Sequence, residues 1–333
     1  VKLSKSNLIN EAKEKALKGE MLDRDTIVSL LEIDPDSEDA EILGEAARTV
    51  AITVTGNSGS VWASVGVDYR KCAMNCDFCA FGSKWGLVKE ESERNPQEII
   101  ETVHRFVSRG ARWITLRTTE FYGVDKLAQV VRDIRTSVPG KYEIVVNTGE
   151  FNEEEAALLA DAGAQMVYHT IRLREGINTR FKPEDRIATL ASVNSSPLDL
   201  AYLVEPVGIE HTNEEIADIF LTAMKYNARL CGVMARVPLP GTPLSHLPQI
   251  SERRHAQIVA VTRLAAGYHA PDICAHPPSR LAVEWGANVV VVETGAIPRE
   301  GEDCKTEWHG FGLDTAMEYF TSAGYSFYSG REN

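Results

Sequence analysis

Residues 61–79, VWASVGVDYRKCAMNCDFC, run from an apolar, β-branched stretch directly into three crowded cysteines. The first nine residues read as a strand buried on both faces, since Val, Trp and Tyr favour the pleated backbone and no charge appears before Asp68. Cys72, Cys76 and Cys79 follow where that strand must end. Three thiols are one short of a closed tetrahedral zinc site.

Downstream, strand-like and helix-like stretches alternate. RWITLR, YEIVVNT, QMVYHTI, LDLAYLVEPVG, LCGVMARVPL, PDICAH and ANVVVVET read as extended. Amphipathic stretches such as PQEIIETVHRFVSRG and TNEEIADIFLTAMKYN separate them. In NEEEAALLADAG, Asn152 suits a helix N-cap and Gly163 a C-terminal stop. About eight strand–helix units result, the number an α/β, TIM-type (βα)8 barrel requires. An open doubly wound sheet is the alternative. Residues 1–50 read as a helical, acidic N-terminal prefix and 51–333 as the barrel, with no low-complexity linker between them.

The chain has 333 residues and a formal net charge of -13, which argues against nucleic acid or an acidic membrane as partner. No apolar run approaches a bilayer span, and the N-terminal stretch VKLSKSNLINEAKEKALKGE reads as a helix, not a signal peptide. Six cysteines, three of them crowded, fit a reducing cytoplasm and a metal better than a secreted disulfide framework.

In an α/β barrel the loops after the strands build the active site, so the three thiols belong at the barrel mouth. A cubane iron–sulfur cluster held by three thiolates keeps one iron open. That iron can chelate the amino and carboxylate groups of an amino-acid-like cofactor. The competing readings are a zinc knuckle or another ferredoxin-type site. Zinc asks for a fourth Cys or His close by, and the nearest downstream is His104, in a predicted helix.

CAMNCDFC is the C-x3-C-x2-C signature of radical S-adenosylmethionine (AdoMet) enzymes, with the aromatic Phe78 before the third cysteine, where it usually lies near the adenine. The chain resembles the subgroup of biotin synthase, the FeFe-hydrogenase maturase HydE and methylornithine synthase. VPLPGTPL (237–244) and WGANVVVVETG (285–295) carry the resemblance further, over about residues 25–325. It implies a full or nearly full barrel, a [4Fe–4S] cluster on Cys72, Cys76 and Cys79, and AdoMet on the open iron. It also implies a one-electron reductant such as ferredoxin or flavodoxin, and a small-molecule substrate. The chemistry implied is reductive cleavage of AdoMet to a 5′-deoxyadenosyl radical, which abstracts hydrogen from the substrate.

The same resemblance distributes roles. In TLRTTEFYG, Thr118, Thr119 and Glu120 stand where relatives hold the AdoMet amino group, with Thr-Thr replacing Gly-Gly. In FKPEDRIATL, Arg186 stands where relatives meet the AdoMet carboxylate, to which a guanidinium fork is well matched. In VYHTIRLRE, His169 and Arg172 stand near the ribose, but Thr170 and Arg172 replace the Asn, Asp or Glu of relatives, and His169 reads equally as a barrel histidine. In LVEPVGIEHT, Val207 and Gly208 keep part of a turn beside the adenine, and Glu205 adds a charge that needs a partner or a substrate cation.

Strand alternation puts Met234, Arg236 and Pro238 on one face, so Arg236 points either among the helices or into the cavity. Similarity to methylornithine synthase implies a substrate-carboxylate clamp there, with Glu205, Asp272 or Glu293 as the expected counter-charge. Asp272, Cys274, His276 and Glu293 are expected near the last strand ends.

Biotin synthase carries a second cluster on cysteines of its second, third and fifth strands. The corresponding TLRTT, IVVNTG and AYLVEP lack cysteine. Cys231 begins its strand and belongs at the stabilising end; Cys274 and Cys304, with His276 or His309, are candidates for an auxiliary cluster or metal at the mouth. The leading expectation is hydrogen abstraction from an amino-acid-like or carboxylate substrate, followed by rearrangement or fragmentation. Sulfur insertion or metal-cofactor maturation is the second reading, and a non-catalytic iron–sulfur scaffold or electron carrier the third.

Overall fold

The computed structural model describes residues 4–294 and 311–327. Three helices come first: α1 (Lys5–Lys18), α2 (Arg24–Leu31) and α3 (Glu38–Thr55). Their starts follow from local chemistry: the Ser4 and Asp23 side chains accept from the Asn7 and Thr26 amides, satisfying donors that have no partner within the helix. α3 runs to Thr55 without a break at residue 50.

The barrel then begins with β1 (Ser58–Gly66), followed by a two-stranded neck, β2 (Asp68–Tyr69) antiparallel to β3 (Ser92–Glu93). Strands and helices alternate from there: α4 (Pro96–Ser108), β4 (Trp113–Arg117), α5 (Val124–Ser137), β5 (Glu143–Asn147), α6 (Glu153–Ala162), β6 (Met166–Tyr168), α7 (Pro183–Asn194) and β7 (Asp199–Val207). They continue with α8 (Asn213–Lys225), β8 (Leu230–Ala235), α9 (Glu252–Ala266), β9 (Asp272–His276), α10 (Arg280–Glu284), β10 (Val289–Thr294), α11 (Leu313–Ser322) and β11 (Ser326–Phe327). Every barrel pairing is parallel, and β10 pairs back onto β1 from Ser60↔Val289 to Val65↔Thr294. The sheet is therefore a closed eight-stranded ring with β11 added to the start of β1, not an open doubly wound sheet.

The strands are apolar on both faces, as a ring covered by helices outside and filled inside requires. Val61, Ala63 and Val65 of β1 face the helices, and Trp62 faces inward. Trp62, Trp113, Val145, Met166, Leu203, Leu230, Cys274 and Val289 fill the interior. That filling makes one end of the ring solid and leaves side chains at the strand C-termini to shape a cavity.

Asn152 caps α6 in a reciprocal capping box with Glu155, and Gly163 ends it with φ 106°. Two expectations are corrected. Asp272 opens β9 at the end away from the mouth, where it meets Asn288 at 2.8 Å and Arg112 at 3.5 Å. Cys274 is fully buried in the interior filling, one layer below the strand ends, because inward residues of β9 there are part of the packed core. Cys231, second residue of β8, is buried among the outward-facing core residues.

Candidate active site

The cysteine loop is held by its own backbone. Cys72 and Gly82 form an isolated bridge, with Cys72 N donating to Phe81 O at 2.7 Å and Ser83 N to Cys72 O at 3.0 Å. Cys79 N donates to Cys76 O at 3.0 Å, closing a turn between those two thiols. Asn75 takes φ 42°, a conformation its short polar side chain tolerates, and its amide oxygen accepts from Lys84 N at 2.8 Å. Gly82 is required by close approach: a Cβ there would lie 2.1 Å from the Trp85 indole nitrogen, which itself donates to Cys76 O at 3.2 Å. The neck of β2 and β3 ties the two ends of this loop together.

Cys76, Phe78 and Cys79 open onto a cavity at the strand C-termini. Its apolar walls include Trp62, Leu203, Met234, Leu239 and Val291. Its polar wall carries His169, Thr170, Arg172, Arg186, Glu205, Arg236, His276 and Glu293. Thus Cys76, Cys79 and most of the other sequence-proposed site residues share one enclosure, whereas Cys72 is not among the residues that line it.

The polar wall is a buried network of charges. Arg186 is 3% exposed. Its Nη1 donates to Glu150 at 2.8 Å, and its Nε and Nη2 donate to the Thr170 carbonyl at 3.1 and 2.7 Å. Arg172 Nη1 meets Glu175 at 3.3 Å, and its Nε lies 3.8 Å from Glu205. Tyr168 donates its hydroxyl to Glu205. Burial pushes the Glu205 carboxyl up, against the pull of Arg172. Burial also drives His169 well below the usual imidazole range, with Arg186 adding to the effect; its Nε2 lies 3.4 Å from Glu150.

Arg236 lies just past the end of β8 and turns into the cavity together with Met234; Pro238 does not line it. Its counter-charge is Glu210, not Glu205, Asp272 or Glu293 as the sequence suggested. Glu205 is engaged by Tyr168 and Arg172, Asp272 sits at the other end of the ring, and Glu293 faces His276 at 3.8 Å. Glu210 reaches Arg236 because it stands on the tight loop after β7, two residues after Gly208.

The remaining candidates lie off the cavity wall. Thr118 donates to Thr148 at 2.9 Å, and the Thr119 amide and hydroxyl both donate to the buried Asp68. Glu120 lies within electrostatic reach of Cys72, Arg186 and Glu150; burial raises its carboxyl to about 7. The Val207 side chain belongs to the layer between strands and helices. Cys304 and His309 lie outside the described residues. Sequence reasoning missed Glu150, Glu175, Tyr168 and Glu210. Glu175 had a signal, three residues after Arg172; the other three depend on strand register and loop path.

Residues 67–250 match the Radical SAM superfamily, more than half of the chain. The chain belongs to that superfamily. This radical SAM protein is 27% identical to the biotin synthase of Persephonella marina over 266 residues, 75% of this chain and 76% of the relative. It is 23% identical to the biotin synthase of Desulforudis audaxviator over 271 residues, 78% of this chain and 80% of the relative. In fold it is similar to the FeFe-hydrogenase maturase HydG from Carboxydothermus hydrogenoformans, with TM-score 0.77 and 17% identity, covering 96% of this chain and 79% of that one. It is also similar to methylornithine synthase (PylB), with TM-score 0.78 and 16% identity, covering 95% and 96%.

Membership of the radical SAM superfamily implies a [4Fe–4S] cluster and AdoMet. The thiols fit such a group. Burial raises the pKa of Cys72, Cys76 and Cys79, while the Arg172 guanidinium pulls Cys76 and Cys79 the other way and Arg117 helps at Cys79. Buried thiols facing fixed cations suit thiolates that are neutralised by bound iron. Among the described residues no three His, Cys, Asp or Glu gather as ligands of a single ion; a cubane asks only that each thiolate reach its own iron. Among the described residues no helix is long and apolar enough to cross a membrane.

Proposed function

We propose that this radical SAM enzyme abstracts hydrogen from a small amino-acid-like or carboxylate substrate, leading to rearrangement or fragmentation. The observation that carries the reading is the composition of the cavity at the strand C-termini: Cys76, Phe78 and Cys79 together with Arg236, Glu205 and Glu293. Cys72, Cys76 and Cys79 would hold the cluster, which supplies one electron for reductive cleavage of AdoMet.

The protein's own part is binding, orientation and exclusion of water. Arg186 would meet the AdoMet carboxylate, Glu120 its amino group, and Phe78 the adenine, with His169 and Arg172 toward the ribose. Trp62, Leu203, Met234 and Val291, which line the cavity, would exclude water from the reaction. Arg236 offers N–H donors to a substrate carboxylate, and Glu205 an acceptor to a substrate ammonium. Residues 1–50 form the helical prefix of this reading and 51–333 its catalytic barrel, acting with a one-electron donor of the ferredoxin or flavodoxin kind.

Anaerobic reconstitution followed by incubation with reductant, AdoMet and candidate amino acids tests the proposal. About four irons per chain and 5′-deoxyadenosine formation stimulated by an amino acid or carboxylate are expected. About eight irons would favour the second reading, sulfur insertion or cofactor maturation through an auxiliary cluster.

A further inference from the structure

We propose that Arg172 and Glu205 form a charge pair that sets the reduction potential of the cluster and makes it respond to what occupies the substrate half of the cavity. The inference rests on the function proposed above and gives Arg172 a role beyond a ribose contact.

Both residues line the cavity that Cys76 and Cys79 line. Arg172 stands on the loop after β6, with its guanidinium 4.9 Å from the centre of the Phe181 ring. Two carboxylates flank it. Glu175 has a fully buried side chain, is fixed by the Thr179 hydroxyl at 2.6 Å, and meets Nη1 at 3.3 Å. Glu205, at 3.8 Å from Nε, lies farther into the barrel, where Tyr168 donates to it. Glu175 is therefore a fixed counter-ion shut away from the cavity, whereas Glu205 opens onto it.

Reduction adds one electron to the cluster and takes it from the external one-electron donor. A cation beside the thiolates stabilises the more negative, reduced cluster and raises its potential; an anion lowers it. Both act under reduced screening because their side chains are largely buried, 20% exposed at Arg172 and 10% at Glu205. With Glu205 ionised, the two charges oppose one another. A substrate ammonium placed on Glu205 cancels the anion and leaves Arg172 dominant. The cluster then accepts its electron more readily when the substrate site is filled, which limits AdoMet cleavage in its absence.

The test is an EPR-monitored redox titration of the reconstituted enzyme at pH 8.5, without AdoMet. Wild type is compared with Arg172→Gln, Arg172→Lys and Glu205→Gln. The midpoint is expected to fall in Arg172→Gln, to stay close to wild type in Arg172→Lys, and to rise in Glu205→Gln. Midpoints that do not move, that move the same way in Arg172→Gln and Glu205→Gln, or that fall as far with Lys as with Gln, overturn the inference. If Arg172→Gln fails to hold a cluster, the rise in Glu205→Gln decides. A wild-type chain that takes up no cluster overturns the proposed function along with the inference; a cluster with unmoved midpoints overturns the inference alone.

Discussion

Glu210 holds Arg236 end-on, its Oε1 accepting from Nη1 and its Oε2 from Nη2 at 2.9 Å. The guanidinium is 3% exposed, and its Nε, on the adjacent edge, has no hydrogen-bond partner among the described residues. A guanidinium carries five N–H donors, so an end-on carboxylate leaves the Nε edge for a second acceptor. A buried donor is costly until something accepts from it. A substrate carboxylate on that edge would meet the need while Glu210 stays in place.

Replacing Arg236 by Lys keeps a charge but loses the fork. Product formation is expected to fall about tenfold to hundredfold, the equivalent of one charged hydrogen bond of ~1.5–3 kcal/mol. Uncoupled 5′-deoxyadenosine formation should remain close to wild type. Parallel chromatographic assays of product and 5′-deoxyadenosine check this, and equal loss of both would assign Arg236 to AdoMet or to the fold.

Gly208 leaves room for the pair. A Cβ there would lie 2.4 Å from Glu210 Oε2 and 2.5 Å from both terminal nitrogens of Arg236. Gly208→Ala must displace a buried ion pair, with an expected loss of about 1–3 kcal/mol in urea unfolding and a matching fall in product formation. Wild-type stability together with wild-type turnover would show that the pair is not held this tightly.

Gly82→Ala should act on the cluster loop. The added methyl collides with Trp85, whose indole donates to Cys76 O. Iron bound after reconstitution is expected to drop at least severalfold, while far-UV circular dichroism stays that of the barrel. Full iron content would mean the loop yields without consequence.

His255 supplies a pH signature independent of the active site. It is buried on α9, its Nε2 3.2 Å from the Val233 carbonyl, and burial lowers it from 6.5 to about 4. The unfolded chain binds this proton near pH 6.5 and the folded chain does not until about pH 4. The contribution is present above pH 6.5 and lost as pH falls toward 4, at most ~3 kcal/mol. The drop in Tm between pH 7.5 and 5 should be smaller in His255→Gln than in wild type. Equal drops would show that His255 is not held neutral.

The ring was legible because each strand announces itself by a buried, β-branched run and each helix by its period. Asn152 and Gly163 even marked the ends of one helix. The cysteine loop was legible because its chemistry is local: three thiols within eight residues. The partner of Arg236 was not, because Glu210 lies twenty-six positions earlier on a different loop, and only the ring brings the ends of β7 and β8 together. Cys274 and Asp272 were misplaced along their strand for a related reason. Alternation gives the face of a side chain but not its height, and β9 spans only Asp272–His276, so His276 at its end faces the cavity while Cys274 lies in the filling below.

We assign to Cys72, Cys76 and Cys79 a cluster that supports AdoMet cleavage. The assignment is tested most directly by reconstituting wild type and Cys76→Ala anaerobically and measuring 5′-deoxyadenosine after adding dithionite and AdoMet. About four irons per wild-type chain and slow, uncoupled but measurable 5′-deoxyadenosine formation are expected, with both collapsing in Cys76→Ala. A Cys76→Ala chain that cleaves AdoMet at the wild-type rate would contradict the assignment.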